Sequence, residues 1–228
     1  MNAYRFTFCG ADLAALGSGA LWWPDRRLLC VSDLHLGKSG RHIRRGGTPL
    51  PPYDTADTLA RLAGDLARTG AETVVCLGDS FDDPQAASDL GDEMRDRIAG
   101  LQAGRRWIWI EGNHDPGPVG PVGSGGAHLP GWTCGPVRFR HIARPDARGE
   151  ISGHYHPKLR LPTRGRTVTR AAFLVDEARM ILPAYGTYTG GLHADAPELH
   201  ALMGPRAIAI LTGATPRAVP LAAVLARR

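Results

Sequence analysis

Short runs of apolar residues recur along the chain, and each has the length of a β-strand. The runs lie at residues 4–8, 27–31, 73–77, 107–110, 137–142, 171–175, 179–182 and 207–211. Strands alternate with helical patterns up to residue 110, which indicates α/β winding with parallel pairing. The second half of the chain is rich in strands and short of long helices, so we expect further sheet there.

Two helices are predicted between the early strands. Apolar residues recur at helical spacing after residue 54, and Gly70 follows the last of them. Asp54 or Thr55 would cap the start of this helix, and Gly70 would end it. A weaker apolar stripe predicts a second helix over residues 86–98. Residues 116–131 are rich in glycine and proline and predict an irregular loop.

Composition and charge narrow the class of protein. The 228 residues are 43% hydrophobic and 21% charged, which excludes collagen-like, coiled-coil and wholly disordered chains. With no repeat or linker, we expect one domain over residues 1–228. No run of about 18 apolar residues and no secretory signal is present, and four cysteines without CxxC spacing suit a reducing cytosol, so we expect a cytoplasmic protein. A net charge of +5 permits a nucleic-acid partner without requiring one.

Polar side chains follow four strand-like segments at the point where each segment ends. They are Asp33 and His35, then Asp79, then Asn113, His114 and Asp115, then His154 and His156. Any one of them could be a turn former or a helix cap. The carboxyl ends of strands in wound sheets face one crevice, however, so we expect these groups to converge. Burying several ionisable groups together is costly unless a metal ion or a partner compensates.

Local spacing refines this hypothesis. Alternation along an extended segment predicts that Asp33 and His35 face one centre, and that His154 and His156 do the same. Glycines precede the candidate ligands at positions 78, 112 and 153, where the backbone must turn tightly or approach something closely. Carboxylate, imidazole and amide ligands without thiolate suit manganese, iron or zinc. Two ions are needed to use all the ligands, with Asp79 as the bridge, and such a pair can share a hydroxide and clamp a phosphoryl group.

These motifs together resemble those of a known family. Asp-Leu-His at 33–35, Gly-Asp at 78–79, Gly-Asn-His-Asp at 112–115, His141 and Gly-His-Tyr-His at 153–156 resemble the signature of the calcineurin-like metallophosphoesterases. The segments at 21–38 and 182–191 resemble the DNA-ligase-associated branch of that family. The resemblance covers nearly the whole chain. It implies an α/β (α+β) fold in which a two-sheet β-sandwich is flanked by helices.

The resemblance also implies roles for individual residues. One ion would be held by Asp33, His35, Asp79 and His156, and the other by Asp79, Asn113, His141 and His154. His114 would be the general acid, and Asp115 would orient its ring. His128 is the rival of His141, which is preferred because it ends an alternating strand. The chain departs from the branch at Asp82 and Asp83, where a Gly-Asp-x-x-His pattern is expected.

The implied function is a binuclear phosphodiesterase, specifically a DNA nuclease that cuts single strands internally in nucleic-acid repair. It would use a metal-activated hydroxide and two manganese ions, with iron or zinc as alternatives, and would associate functionally with a DNA ligase and a helicase. A small-molecule or nucleotide phosphodiesterase or phosphatase is the alternative, and a non-catalytic metal-binding scaffold is a more remote one. A segment after the first motif is either a solvated loop or a nucleic-acid contact through Lys38, Arg41, Arg44 and Arg45. Tyr185 and Tyr188 are candidates for base stacking.

Overall fold

Two β-sheets form the centre of the protein. The structure is a computed structural model that describes residues 2–48, 50–117, 125–163 and 165–226. The first sheet has seven strands in chain order. They are β1 (Ala3–Phe8), β2 (Ala11–Leu16), β3 (Leu21–Trp23), β4 (Leu28–Val31), β5 (Thr73–Leu77), β6 (Arg106–Ile110) and β7 (Ala127–Leu129). Strands β1 to β4 are antiparallel neighbours, whereas β4 to β7 pair in parallel.

The second sheet has the order β15-β14-β12-β13-β10-β9-β8, and β11 pairs with β12 beside this path. Its strands are β8 (Trp132–Cys134), β9 (Val137–Phe139), β10 (Glu150–Ser152), β11 (Lys158–Thr163), β12 (Arg166–Val175), β13 (Arg179–Ile181), β14 (Ile208–Leu211) and β15 (Arg217–Pro220). Strand β10 pairs in parallel with both β9 and β13. The carboxyl ends of these strands therefore lie at one edge of the sheet.

Helices cover the outer faces of the two sheets. They are α1 (Lys38–Arg44), α2 (Asp54–Thr69), α3 (Pro84–Ser88), α4 (Asp92–Gln102), α5 (Pro197–Leu202) and α6 (Leu221–Leu225), with a 3₁₀ turn at Pro24–Arg26. Apolar residues of α2 and α4 pack on the first sheet, and those of α5 and α6 pack on the second. The predicted two-sheet α/β fold is confirmed. No helix in the described part of the chain is long and apolar enough to cross a membrane.

Alternation along the central strands produces this layered arrangement. In β4, Leu29 and Val31 pack with the helices, whereas Leu28 and Cys30 pack against the second sheet. Successive side chains of a strand point to opposite faces, so a strand covered on both sides must be apolar throughout. This explains why the central strands appear in the sequence as unbroken apolar runs.

All eight predicted strands are present, and only two differ from their predicted bounds by more than one residue. Strand β12 begins five residues before the predicted start at 171, because residues 166–170 pair with β11. Strand β9 ends at Phe139 instead of 142. The chain leaves the sheet at that point and carries His141 toward the strand ends described below.

The helix predictions need two corrections. The helix predicted over 86–98 is two helices, α3 and α4, because the chain is extended at Gly91 between them. Helix α2 starts at Asp54 and ends at Gly70, whose φ is 62°, but neither predicted residue caps its start. Asp54 instead accepts a hydrogen bond from Ser39 Oγ at 2.6 Å, and Thr55 Oγ1 accepts one from the Gly37 N–H at 2.9 Å.

The segment 116–131 was predicted to be an irregular loop, and this is wrong for part of it. Strand β7 lies within the segment and pairs in parallel with β6, with Ala127 opposite Ile108. Three residues were too few to give a strand pattern between glycines and prolines. Residues 118–124 of the segment lie outside the described residues.

The shared core between the sheets leads to a prediction about stability. Phe173 of β12 is fully buried in that core. Truncating such a side chain typically costs about 3–5 kcal/mol, because it leaves a cavity. We expect Phe173→Ala to lose about this much unfolding free energy in a urea titration. Phe6→Ala, on the partly buried edge strand β1, is the matched control and should lose less. Equal losses would contradict a core shared by the two sheets.

Candidate metal centre

The predicted ligand residues converge at one edge of the two sheets. Three motifs follow the parallel neighbours β4, β5 and β6 of the first sheet. The other two follow β9 and β10 of the second sheet. These strand ends face each other, and the side chains form two adjacent clusters. His141 Nδ1 of one cluster lies 3.9 Å from Asp33 Oδ1 of the other.

The first cluster consists of Asp33, His35 and His156. His156 Nε2 lies 3.0 Å from Asp33 Oδ1 and 3.4 Å from His35 Nε2. One ligand atom from each residue lies within 4.8 Å of the others. Three lone-pair donors therefore point toward a common position.

The second cluster consists of Asp79, His141 and His154, with Asn113 beside them. His141 Nε2 lies 3.3 Å from Asp79 Oδ2 and 3.0 Å from Asn113 Oδ1. The rings of His141 and His154 meet edge to face, with centroids 5.1 Å apart. The rival His128 lies on β7, where its ring stacks on Trp109 at 6.1 Å. The structure thus places His141 in the second cluster, whereas His128 lies on β7 outside both clusters.

Left-handed backbone is concentrated at the centre. Positive φ angles occur at Asp33 (53°), His35 (44°), Asp79 (44°), His154 (71°) and His156 (46°). Non-glycine residues adopt such angles rarely, and they persist only where the surroundings enforce them. The prediction that residues two apart face the same centre assumed an extended backbone. These φ angles show that the backbone is not extended there, so the premise is wrong. The prediction places His154 and His156 in one centre, whereas they belong to different clusters.

The three glycines allow close approach, as the sequence predicted. A methyl group at Gly78 would overlap the ring of His141. At Gly112 it would overlap the backbone nitrogen and carboxylate of Asp79. At Gly153 it would overlap the hydroxyl of Ser32 and the carboxylate of Asp33. A side chain at any of these positions would push one motif away from the next.

Imidazoles hold the buried carboxylates in their ionised form. Burial raises the pKa of Asp79, but hydrogen bonding and the charge of His141 outweigh burial and bring the pKa to about 2. Burial opposes ionisation of Asp33 too, yet His156 and His141 lower its pKa. Conversely, burial lowers the pKa of His141, whereas Asp79 and Asp33 raise it to about 9. Asp33 and Asp79 are therefore ionised although they are buried.

His114 lies beside the clusters and is oriented by a backbone carbonyl. Its Nδ1 lies 2.7 Å from the carbonyl oxygen of Asp82, which can only accept, so Nδ1 donates. Its Nε2 lies 4.0 Å from Asp79 Oδ2. Asp115 was predicted to orient this ring, and the structure contradicts that role. The Asp115 carboxylate accepts hydrogen bonds from the backbone N–H groups of Ser80, Phe81 and Gly112, at 2.7, 3.2 and 3.1 Å.

Asp82 contacts a predicted ligand, a placement that the sequence did not reveal. Its buried carboxylate accepts a hydrogen bond from His35 Nδ1 at 2.8 Å, which leaves Nε2 of His35 facing the first cluster. A carboxylate in this position fixes the tautomer of a ligating histidine. The acidic pair at 82–83, where the family branch has a histidine, was the available signal. Asp83 caps α3 by accepting from the Ala86 N–H at 2.6 Å.

Three of the four cations predicted to contact nucleic acid, Lys38, Arg41 and Arg44, lie on helix α1, so the loop predicted for them is wrong. Lys38 and Arg41 bind the Asp82 carboxylate at 3.1 and 3.0 Å. Arg44 pairs with Asp83 at 2.8 Å and with Asp89 at 2.7 Å. Arg45 follows the helix and is exposed.

Comparison with known proteins agrees with this geometry. The family model described as calcineurin-like phosphoesterase matches residues 26–141, just over half of the 228-residue chain. Among solved structures, a nuclease MPE from Pseudomonas putida is 27% identical over 95% of this chain and 100% of its own, with a TM-score of 0.74. Yfce, a phosphoesterase from E. coli, is 14% identical over 85% of this chain and 98% of its own, with a TM-score of 0.39. A search of curated proteins found no match.

The matched residues 26–141 include Asp33, His35, Asp79 and His141. The other two cluster histidines, His154 and His156, follow the matched region in the chain. The predicted enzyme class, a metal-dependent phosphodiesterase, is confirmed by the family match and the structural similarity. The chain belongs to the calcineurin-like phosphoesterase family.

Proposed function

We propose that this phosphoesterase is a binuclear metal-dependent nuclease that cuts single-stranded DNA internally and acts in nucleic-acid repair. The observation that carries the proposal is the pair of adjacent carboxylate–imidazole clusters with His114 beside them. Similarity over nearly the whole chain to a Pseudomonas nuclease supports nucleic acid as the substrate. The same similarity is consistent with the ligase-associated branch.

The donor set of the clusters fits divalent cations. Nε2 of His35 and Nε2 of His156 face each other at 3.4 Å, next to a carboxylate oxygen of Asp33. Such crowding of lone pairs in a buried site is costly unless a cation lies between them. Imidazoles with carboxylates and an amide oxygen suit manganese, iron or zinc, of which we propose manganese.

We assign the ligands to two ions that share one carboxylate. The first ion would be held by Asp33, His35, Asp79 and His156, and the second by Asp79, Asn113, His141 and His154. Asp79 follows β5, the strand between β4 and β6, and this central position supports the bridging role.

Two divalent cations bound there would polarise the scissile phosphate and acidify a water molecule. The protein's own residues would supply the remaining steps. Nδ1 of His114 donates to the Asp82 carbonyl, so Nε2 is the nitrogen available on the side of the clusters. A proton held on Nε2 passes to the leaving oxygen of the cleaved strand. Asp115 acts indirectly, by holding the backbone after β5 close to the turn after β6.

Location, domain organisation and partners complete the hypothesis. All four cysteines are free, which suits the predicted cytoplasmic location. A core shared by both sheets supports one domain over residues 1–228. Association with a DNA ligase and a helicase stays a prediction, as does contact of Lys38, Arg41, Arg44 and Arg45 with nucleic acid.

Circular single-stranded DNA tests the function directly. We expect metal-stripped protein to linearise the circles when manganese is added, and to do so much faster than with magnesium. Magnesium prefers oxygen ligands, and three or four imidazoles are poor partners for it. Gel electrophoresis distinguishes circles from linear strands, and only an internal cut opens a circle. Intact circles together with hydrolysis of bis(4-nitrophenyl) phosphate would favour the small-molecule phosphodiesterase, and equal rates with magnesium would contradict the ligand set.

Metal content tests the bridging assignment. We expect Asp79→Ala to lose both ions, because both would share its carboxylate. Asp33→Ala, a matched change in the other cluster, should mainly weaken one site. Elemental analysis of each purified variant after dialysis against limiting manganese gives the number of ions per chain. Retention of two ions by Asp79→Ala would rule out the bridge.

The leaving group tests the general acid. A DNA strand leaves as an alkoxide that needs a proton, whereas a nitrophenolate leaves without one. A positioned histidine typically contributes about 10²–10⁴-fold to such a step. His114→Ala should therefore keep both metals and lose most DNA cleavage, but lose much less activity on a nitrophenyl diester. His35→Ala, which removes a proposed ligand, should damage both reactions alike. Equal losses in His114→Ala with both metals bound would show that His114 positions the phosphate instead.

A further inference from the structure

A groove opens beside the first cluster. It has a volume of about 520 Å³, and His156 is one of its lining residues. The other walls come from α2, the loop at 184–189, the turn at 17–19 and the start of the β11–β12 hairpin. A ligand in this groove would therefore be continuous with a substrate at the metal centre.

Unneutralised positive charge lines the groove. The side chain of Arg170 is exposed and forms no hydrogen bond or ion pair with the described residues. Nζ of Lys158 donates to the carbonyl of Thr189 at 2.9 Å and has no acidic partner in the described ranges. Arg61 pairs with Asp57 at 3.6 Å, the one carboxylate in the described lining, and donates to Thr187 Oγ1 at 3.0 Å. Lys158 and Arg170 therefore carry the excess positive charge. The groove is thus complementary to an anionic ligand.

The cations of α1 differ from those of the groove. Lys38, Arg41 and Arg44 each bind a carboxylate of the segment at 82–89. Their charge is balanced inside the protein, so an approaching phosphate would have to displace an existing partner. The groove on the His156 side requires no such exchange.

An aromatic pair stands beside these cations. Tyr188 lines the groove with a φ of 63°, an unusual angle for an aromatic residue. Its ring lies 5.9 Å from the ring of Tyr53, which is 57% exposed. The other candidate, Tyr185, is fully buried and donates its hydroxyl to Asp65 at 2.7 Å, so it cannot stack on a base. Tyr188 itself is half-buried. Aromatic rings that remain accessible beside a cationic groove are typical of single-strand binding sites.

We propose that this groove holds one flank of a single-stranded nucleic acid whose scissile phosphate lies at the metal centre. Lys158 and Arg170 contact backbone phosphates, and Tyr188 with Tyr53 stacks on an unpaired base. The proposal rests on the proposed nuclease function and specifies where the strand lies. Bases within a duplex are already stacked on each other, so the aromatic pair favours single strands.

Two pairs of variants test the groove. Arg170→Ala removes a groove cation, and Arg160→Ala removes an exposed arginine of the same hairpin that does not line the groove. Tyr188→Asn removes the ring with a residue that tolerates left-handed backbone, and Tyr188→Phe retains the ring. Binding of a fluorescent single-stranded oligonucleotide is measured over a range of salt concentrations, and turnover of bis(4-nitrophenyl) phosphate is measured in parallel.

We expect Arg170→Ala to reduce the slope of log affinity against log salt by about 0.7, the value for one lost phosphate contact on a single strand. Arg160→Ala should leave the slope unchanged. Tyr188→Asn should weaken binding roughly 5- to 150-fold, the range for loss of one stacked base, whereas Tyr188→Phe should bind like the unchanged protein. The small diester does not reach the groove, so its turnover should be equal in all four variants.

Two outcomes would overturn the proposal, and they are distinguishable. If the unchanged protein cuts the oligonucleotide but Arg170→Ala and Tyr188→Asn bind it like their controls, the groove assignment is wrong and the nuclease function stands. If the unchanged protein hydrolyses the small diester and cuts no oligonucleotide, the proposed function is wrong, and the groove proposal fails with it.

Discussion

Ionised carboxylates buried at the meeting point of two sheets are the constraint on which the rest of the site depends. Each carboxylate is satisfied by the backbone of a different motif. Asp33 accepts from the His154 N–H at 3.0 Å, and Asp79 accepts from the His114 N–H at 2.9 Å. Asp115 differs from these two, because burial raises its pKa to about 7, but it likewise accepts from the N–H groups that follow Asp79. A buried charge without such partners costs several kcal/mol, so these bonds hold the strand ends in register as well as satisfying the charge. The carboxylates therefore fix the positions of the histidines that surround them.

This arrangement requires backbone that ordinary strands do not supply. The chain must turn immediately after each strand, and it does so with left-handed residues that are not glycine at five site positions. Glycine is needed next to them for a different reason, because the motifs touch at Gly78, Gly112 and Gly153. Strained conformations persist only where the surroundings determine them fully. Here the paired sheets and the hydrogen bonds to the carboxylates hold the backbone in the left-handed conformation.

The sequence predicts much of this fold because its strongest signals arise from burial on both faces of the central strands. The apolar runs made the central strands and helix α2 predictable. The polar residues at the ends of those runs made it predictable that these residues converge. Strands β2, β3, β7, β8, β11 and β15 were not predictable, because they are short, lie near sheet edges or carry polar residues. The sequence also did not predict which side chains contact each other. The family resemblance implied that Asp115 orients the ring of His114, whereas the ring is held by the carbonyl of Asp82 from a different loop. Such contacts depend on how loops approach in space, which residue spacing does not encode.

The acidic pair that replaces the expected histidine explains the charge distribution around the centre. Asp82 accepts from His35 Nδ1 and also binds Lys38 and Arg41. The pKa of Asp82 is lowered despite its burial, because His35, Arg41 and Lys38 favour the ionised form. A carboxylate on Nδ1 makes Nε2 of His35 a stronger donor to a cation. Since two cations of α1 balance that carboxylate, it adds no net negative charge at the centre. Beside His156, by contrast, the side chains of Lys158 and Arg170 have no acidic partner among the described residues, so the positive charge there is not balanced in the same way.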